Sequence, residues 1–443
     1  MNNRRVVITG LAPVTPIGVG VEAFWDALLE GRRGVRAIQA FDPSRFESRI
    51  GGEIEGLKIG AVVPKSYRKS GKIMARDIVL AAAAAYYAVR DADLRTKCVV
   101  DRGEASECNV ASDRLGANIG SGLICADLQE LAEALHSASD NGEFSMAKWG
   151  EIGMKNLTPL WLLKFLPNML ACHVTILHEA RGPSNTITCG EASSHLAIGE
   201  GFRQITRGSA DVSMCGGAES KTNPMALMRQ CLGRRLSTNN DNPEQACKPF
   251  GKDRDGTVIS EGGGTVILEE LEHAKARGAR IYAELVGFGA AADAYDSTRP
   301  NIPHPEGRGG VLAAKKAFKD AGIRAEQLDL IAAQAGGLRD RDAIEAIMIR
   351  ELLGEQTAET PVMTVKGSMG ANGAGSGAID FIASVLALYH GVVPPGVNCD
   401  SPDPAFGLKL VAGRPIDANI EYALSYAYAL SGGQNAALMI KRY

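Results

Sequence analysis

Three side chains able to do chemistry stand close together in NTITCGEASSHLAIGEG, residues 185–201: Cys189, Glu191 and His195. A thiolate can attack a carbonyl carbon, a carboxylate can hold or accept a proton, and an imidazole can do either near neutral pH. The apolar and β-branched residues, then Gly190, then a helical periodicity, read as a strand that enters a tight turn and leaves as a helix. Enzymes display nucleophiles at such turns because the first amides of the helix favour negative charge. Cys189 precedes the turn, which puts it at the end of a buried strand as an inert, packed thiol. Glu191 opens the helix, where the macrodipole favours its carboxylate by roughly 0.3–1 kcal/mol at an exposed site. With a helix from Glu191 to Gly201, His195 falls one turn later on the same face, either in a local hydrogen bond to the carboxylate or as half of an acid–imidazole couple.

The elements that must hold these residues are read from periodicity. RRVVITGL predicts a strand, VEAFWDALLEG a helix ending at Gly31, ARDIVLAAAAAYYAVRDA a long buried helix, and DRLGANIGSG a strand with a glycine turn. A like order returns in RIYAELVGFG, GGVLAAKKAFKDAG, LDLIAAQAGG, RDAIEAIMIREL, TPVMTVKGS and GAIDFIASVLALYHG, and the strands EYALSYAYAL and QNAALMIKRY close the chain. Strand and helix in alternation predict an α/β fold. The repeated order predicts two duplicated halves, 1–271 and 272–443, joined near 265–280 by the exposed helix LEELEHAKARGAR. Residues 94–113 are polar and aperiodic, a surface excursion. Residues 124–175, containing TPLWLLKFLPNMLACHV, read as an apolar cap or interface, or equally as an ordinary helical layer.

Composition narrows the function classes. At 443 residues with 45% hydrophobic content the chain can build an extensive core, and no apolar run is long enough to span a bilayer. The opening MNNRRVVITGLAPVTPIG lacks the pattern of a signal peptide, so a cytoplasmic location is expected. Nine cysteines without a C-x-x-C pair suggest neither a disulfide framework nor a metal site. A net charge of −3 gives no basic field for nucleic acid, and an acidic partner would have to be met by a local patch.

Several separate blocks carry a resemblance: FLPNMLACHVTILHEARGPSNTIT, GFRQITRGSADVSMCGGAES, RRLSTNNDNPEQACKPFGKDRDGTVISEGGGTVILEELEHAKARGARIYAELVGFG and VVPPGVNCDSPD. Together they resemble the beta-ketoacyl-acyl carrier protein synthases of the thiolase fold, over nearly the whole chain apart from 94–113. The resemblance implies two fused halves forming a five-layered αβαβα domain, usually dimeric, which handles acyl chains on an acyl carrier protein and needs no cofactor or metal. It also implies that SEGGGTV, residues 260–266, is a glycine turn supporting the floor of the active site, and that His173 and His178 are structural.

Condensing members of that family carry a cysteine nucleophile, which takes the acyl chain as a thioester, and two histidines, which assist decarboxylation and stabilise the developing oxyanions. The nucleophile lies eight residues after the proline of G-P-S and eight before the glycine of the following I-G. Counting from Pro183 and back from Gly199 both give Glu191, two residues past Cys189. The first histidine precedes an aspartate by eight and a glutamate by eleven; Asp342 and Glu345 fit, and the histidine position falls on Gln334. The second lies five residues after a lysine retained as Lys366, which gives Ala371. The resemblance implies that Lys366 contacts Asp342 or Glu345. Near the C-terminus the family's G-F-G-G-T-N gate loop reads Leu430, Ser431, Gly432, Gly433, Gln434, Asn435, and the backbone amides of Glu191 and Ser431 are the implied oxyanion hole.

A family scaffold without these side chains resembles a chain-length factor, the condensation-inactive subunit that pairs with an active ketosynthase in type II fatty acid or polyketide systems and shapes the acyl tunnel. Glu191 then serves as a plug in the old pocket. Two other readings remain: a malonyl-acyl carrier protein decarboxylase using Glu191, and a homodimer that binds acyl chains or acyl carrier protein without chemistry.

Overall fold

The apolar run Val6–Thr15 forms a strand buried along its whole length, β1, and the reason is its place in the middle of the molecule. In the computed structural model, which describes residues 4–294, 298 and 302–443, β1 is followed by α1 (Arg76–Asp91), β2 (Leu115–Ser121), α2 (Met169–His178), β3 (Ser184–Ile187), α3 (Ser193–Thr206), β4 (Val212–Ser220) and β5 (Ile259–Glu270). The second half repeats this order with β6 (Ala283–Ala292), α4 (Arg308–Ala321), β7 (Leu330–Ala332), α5 (Arg339–Leu353), β8 (Pro361–Met363), α6 (Ser376–His390), β9 (Lys409–Leu410), β10 (Tyr422–Tyr428) and β11 (Gln434–Lys441). The short helix Leu271–Ala276 lies between the halves.

The strands form one hydrogen-bonded path in the order β9-β8-β7-β10-β11-β6-β1-β5-β4-β2-β3. The halves meet where Val6, Val7 and Ile8 of β1 pair antiparallel with Leu285, Glu284 and Ala283 of β6. Helices α3 and α6 pack against each other between the two half-sheets, α1 covers the outside of the first, and α4 covers the outside of the second. This is the five-layered αβαβα thiolase fold. Layer position explains each helix's sequence. In the middle layer α6 is buried continuously from Ser376 to Leu388, whereas the outer α4 exposes Leu312, Lys315, Lys316, Lys319 and Asp320 at helical spacing and buries the rest of its face.

Three expectations change. SEGGGTV is not a turn but straight strand inside β5, and glycine is required because a methyl group on Gly263 would lie 2.1 Å from the Gly217 carbonyl of β4. Residues 94–113 are not wholly a surface loop, since Lys97–Asp101 form a short helix that buries Cys98 and Val99. Strand β3 is not buried: it ends the sheet, with Ser184 and Asn185 exposed. The region 124–175 carries the helices Leu128–Ser137 and Met146–Glu151 and exposes Leu128, Leu135, Phe144, Met146, Leu160 and Leu162. Among the described residues no helix is long and apolar enough to cross a membrane.

Candidate functional site

Strand β3 delivers the turn 188–192 to the middle of the molecule, with Gly190 at φ +58°. The helix after it begins at Ser193, so Glu191 lies before the helix and not on its face. Its carboxylate is buried, at 6% exposure. One oxygen, Oε2, accepts the Leu430 N–H at 3.0 Å, and Oε1 is 3.3 Å from the Lys221 ammonium. Leu430 follows β10, and Lys221 follows β4. Burial alone would raise the Glu191 pKa, but Lys221, the Leu430 amide and the glutamate's own backbone N–H outweigh it and hold the carboxyl below the usual value.

Lys221 is shared. Its Nζ lies 4.0 Å from Oε1 of Glu219, whose Oε2 accepts the Ala374 N–H at 2.7 Å. Burial would lower the lysine's pKa, yet the two carboxylates reverse the sign and raise it. Glu219 moves up instead, because burial dominates there over Lys221 and the amide. Gly373 makes the space: a methyl group on it would lie 2.0 Å from Glu219 Oε2 and 2.6 Å from Lys221 Nζ.

The other positions are structural in their contacts. Gln334, 4% exposed, donates from Nε2 to the Tyr428 carbonyl at 2.9 Å and accepts the Tyr428 N–H on Oε1 at 2.7 Å. Its amide thus continues the β7–β10 pairing beyond the last strand residue. Its own N–H donates to Glu345 Oε1 at 2.8 Å. Ala371 is anchored by its N–H to the Val258 carbonyl at 2.8 Å and has no side chain for proton transfer.

Lys366 does not contact Asp342 or Glu345; it forms a buried ion pair with both carboxylate oxygens of Asp380 on α6. Asp342 is occupied in accepting the amides of Phe250, Gly336 and Gly337 at 2.8, 3.2 and 3.1 Å. The amide that reaches Glu191 is that of Leu430, one residue before Ser431, whose side is exposed together with the half-buried Gly432 and Gly433. His195 is not paired with Glu191. It faces the second half, with Nε2 2.9 Å from Ser425 Oγ, and burial together with Lys366 holds its pKa down at about 3. Cys189 is half-buried beside the turn, its N–H bound to Ser193 Oγ at 2.8 Å, and burial raises its thiol pKa. His173 bonds Tyr67 at 2.8 Å and His178 bonds Thr96 at 2.7 Å, both away from the turn.

Sequence reasoning missed Lys221 and Glu219. The signal was their spacing: two residues apart at the end of a strand, they share one face of β4's line.

With this geometry established, comparison places the chain. The profile for the beta-ketoacyl synthase N-terminal domain matches residues 3–274, and that for the C-terminal domain matches 282–400. The chain belongs to the beta-ketoacyl synthase family. Over their full lengths it is 35% identical to the 3-oxoacyl-[acyl-carrier-protein] synthase 2 of Vibrio cholerae serotype O1. The enzyme of the same name from Synechocystis sp. is also 35% identical, with all of this chain and 99% of the relative covered. Among solved structures, the ishigamide ketosynthase/chain length factor matches at TM-score 0.83 with 28% identity, all of both chains covered. A type II PKS acyl-carrier protein in complex with its ketosynthase bound to the hexaketide matches at TM-score 0.84, again at 28% identity with full coverage. In this beta-ketoacyl synthase family member, the positions that the resemblance assigns to cysteine and two histidines hold Glu191, Gln334 and Ala371.

Proposed function

We propose that this chain is a condensation-inactive, chain-length-factor-like subunit that pairs with an active ketosynthase in type II fatty acid or polyketide biosynthesis. The observation that carries the reading is the placement of Glu191: buried, and held by Lys221 and the Leu430 amide, which keep its carboxyl below the usual pKa. A carboxylate is a poor nucleophile toward a thioester. Its fixed negative charge, held on the Leu430 amide, also opposes the negative charge that a decarboxylation through an enolate would develop beside it. A role in shaping an acyl tunnel is supported by a cavity of about 840 Å³ lined by Phe41, Ile54, Leu57, Met74 and Phe165 together with Ser220 and Thr222. Docking of a carrier protein is supported by the exposed Lys65, Arg68, Lys69 and Lys72 of one short helix, a local basic patch on a chain of net charge −3.

The test is to supply the purified chain with malonyl-acyl carrier protein and, separately, to co-express it with a cysteine-bearing ketosynthase. No carbon dioxide release alone, with stable one-to-one co-purification, is expected. Rapid release that disappears in Glu191→Ala would replace this reading with the decarboxylase. A homodimer that ignores the ketosynthase would replace it with the stand-alone binding protein.

A further inference from the structure

The cavity of about 840 Å³ has one buried polar group that the protein leaves open. Four buried polar side chains interrupt its apolar lining: Asp77 in the first turn of α1, Ser220 at the end of β4, Thr222 just after it, and Glu261 on β5. Three of them are spent on protein partners. Glu261 takes both prongs of Arg76, Nε on Oε2 at 2.8 Å and Nη2 on Oε1 at 2.7 Å. The Ser220 hydroxyl donates to Glu261 Oε2 at 3.1 Å and lies 3.3 Å from Thr222 Oγ1. Asp77 differs. It is 4% exposed, its Oδ1 accepts the Ser220 N–H at 3.0 Å, and among the described residues its Oδ2 takes no hydrogen bond from another residue.

Burial raises the Asp77 pKa to about 7, and Glu219 and Glu261 add to the rise against the Ser220 amide and the residue's own N–H. Near neutrality this side chain can therefore hold a proton, and a protonated carboxyl accepts on one oxygen while donating from the other. Oδ1 already accepts, so Oδ2 is the donor left for the cavity that Asp77 lines. Buried polar groups normally have partners, and leaving one unmade costs more than an average hydrogen bond gains. The acceptor that suits this donor is uncharged, because a carboxylate would meet Glu219 and Glu261 as well. A ketone or hydroxyl oxygen fits.

We propose that Asp77 is a specificity-determining residue of this cavity, donating from Oδ2 to a ketone or hydroxyl oxygen carried along an acyl chain, so that oxygenated chains are selected over saturated ones. The inference rests on the reading of the cavity as an acyl tunnel. A saturated chain in the same place leaves Oδ2 unpaired, and a site built to hydrogen-bond an oxygen rejects the analogue that lacks it.

The full-length chain is titrated calorimetrically with the N-acetylcysteamine thioesters of octanoate, 3-oxooctanoate and 5-oxooctanoate, which share head group and length. At least one keto chain should bind about tenfold tighter than the saturated chain. Asp77→Asn keeps an acceptor for the Ser220 N–H and a donor for the ligand, and should preserve the preference. Asp77→Leu keeps neither and should abolish it; should that variant not fold, the parent chain and Asp77→Asn still decide. Binding of none of the three thioesters would remove the acyl-tunnel reading and the proposal together. Equal binding of all three by the parent chain, loss of the preference in Asp77→Asn, or an unchanged preference in Asp77→Leu would overturn the proposal alone.

Discussion

At the scale of the residue, the Glu191–Lys221–Glu219 cluster decides what the turn can do. Removing the lysine leaves two buried carboxylates facing each other without a cation, so Lys221→Met is expected to cost about 3–5 kcal/mol in urea unfolding. Glu191→Gln keeps an oxygen for the Leu430 amide and leaves Lys221 with Glu219, so it should cost less. The double variant should recover more than about 1 kcal/mol of the summed losses, since residues in one ion-pair network do not add; additive losses would show that the pair is not coupled. A second expectation concerns reactivity. In Glu191→Cys the Lys221 ammonium would depress the thiol pKa, so iodoacetamide should modify that position faster than Cys189, whose pKa burial raises. Condensation should stay absent, because Gln334 and Ala371 supply no imidazole.

At the scale of the element, the strand ends β7 and β10 are held by a side chain acting as backbone. Gln334→Leu removes both bonds to Tyr428 and leaves a buried N–H and C=O unpaired, at about 1–3 kcal/mol for each group. Glu345 beneath it gives the same region a pH dependence. Burial, with Asp342 adding, raises its pKa to about 8, against about 4.3 in an unfolded chain. Between those values the folded protein keeps a proton that the unfolded chain has lost. The stabilisation is therefore complete below about pH 4.3 and is lost as pH rises through about 8, by at most about 1.4 kcal/mol per pH unit for this one group. Urea midpoints from pH 5.5 to 8.5 should fall, and the fall should be shallower in Glu345→Gln, which still accepts the Gln334 N–H; an equal slope would remove Glu345 as the cause. These elements also mark what the sequence made legible. The strand–helix order and the long helices followed from periodicity, and counting from Pro183 and Gly199 located Glu191 because the turn's length is fixed by the elements on either side. Lys221 was not found as a partner of Glu191, because the two stand 30 residues apart on different elements and only the fold brings them together. The pairing of Lys366 with Asp380 escaped for the same reason, and β3 appeared buried because an edge strand with one covered face has nearly the same pattern as a central one.

At the scale of the whole molecule, the sheet stops at β3, which pairs on one side with β2 through Ala117↔Ser184 to Gly120↔Ile187 and, among the described residues, has no partner strand on the other. An open edge of this kind is a template for a strand from another chain. The side of β3 that faces away from β2 can be tested at one atom. The Thr186 N–H is met only by the side chain of the adjacent Asn185, at 2.9 Å, a local bond that an incoming strand could replace. Thr186→Pro removes this donor and leaves the β2–β3 face in place, since proline is tolerated on an edge strand when its missing N–H points outward. The variant is expected to keep the unfolding midpoint of the parent chain but to elute alone when co-expressed with the ketosynthase. Light scattering after size exclusion would report it directly: an undiminished heterodimer would show that association uses another face, whereas a monomer of unchanged stability would assign the partner to this edge.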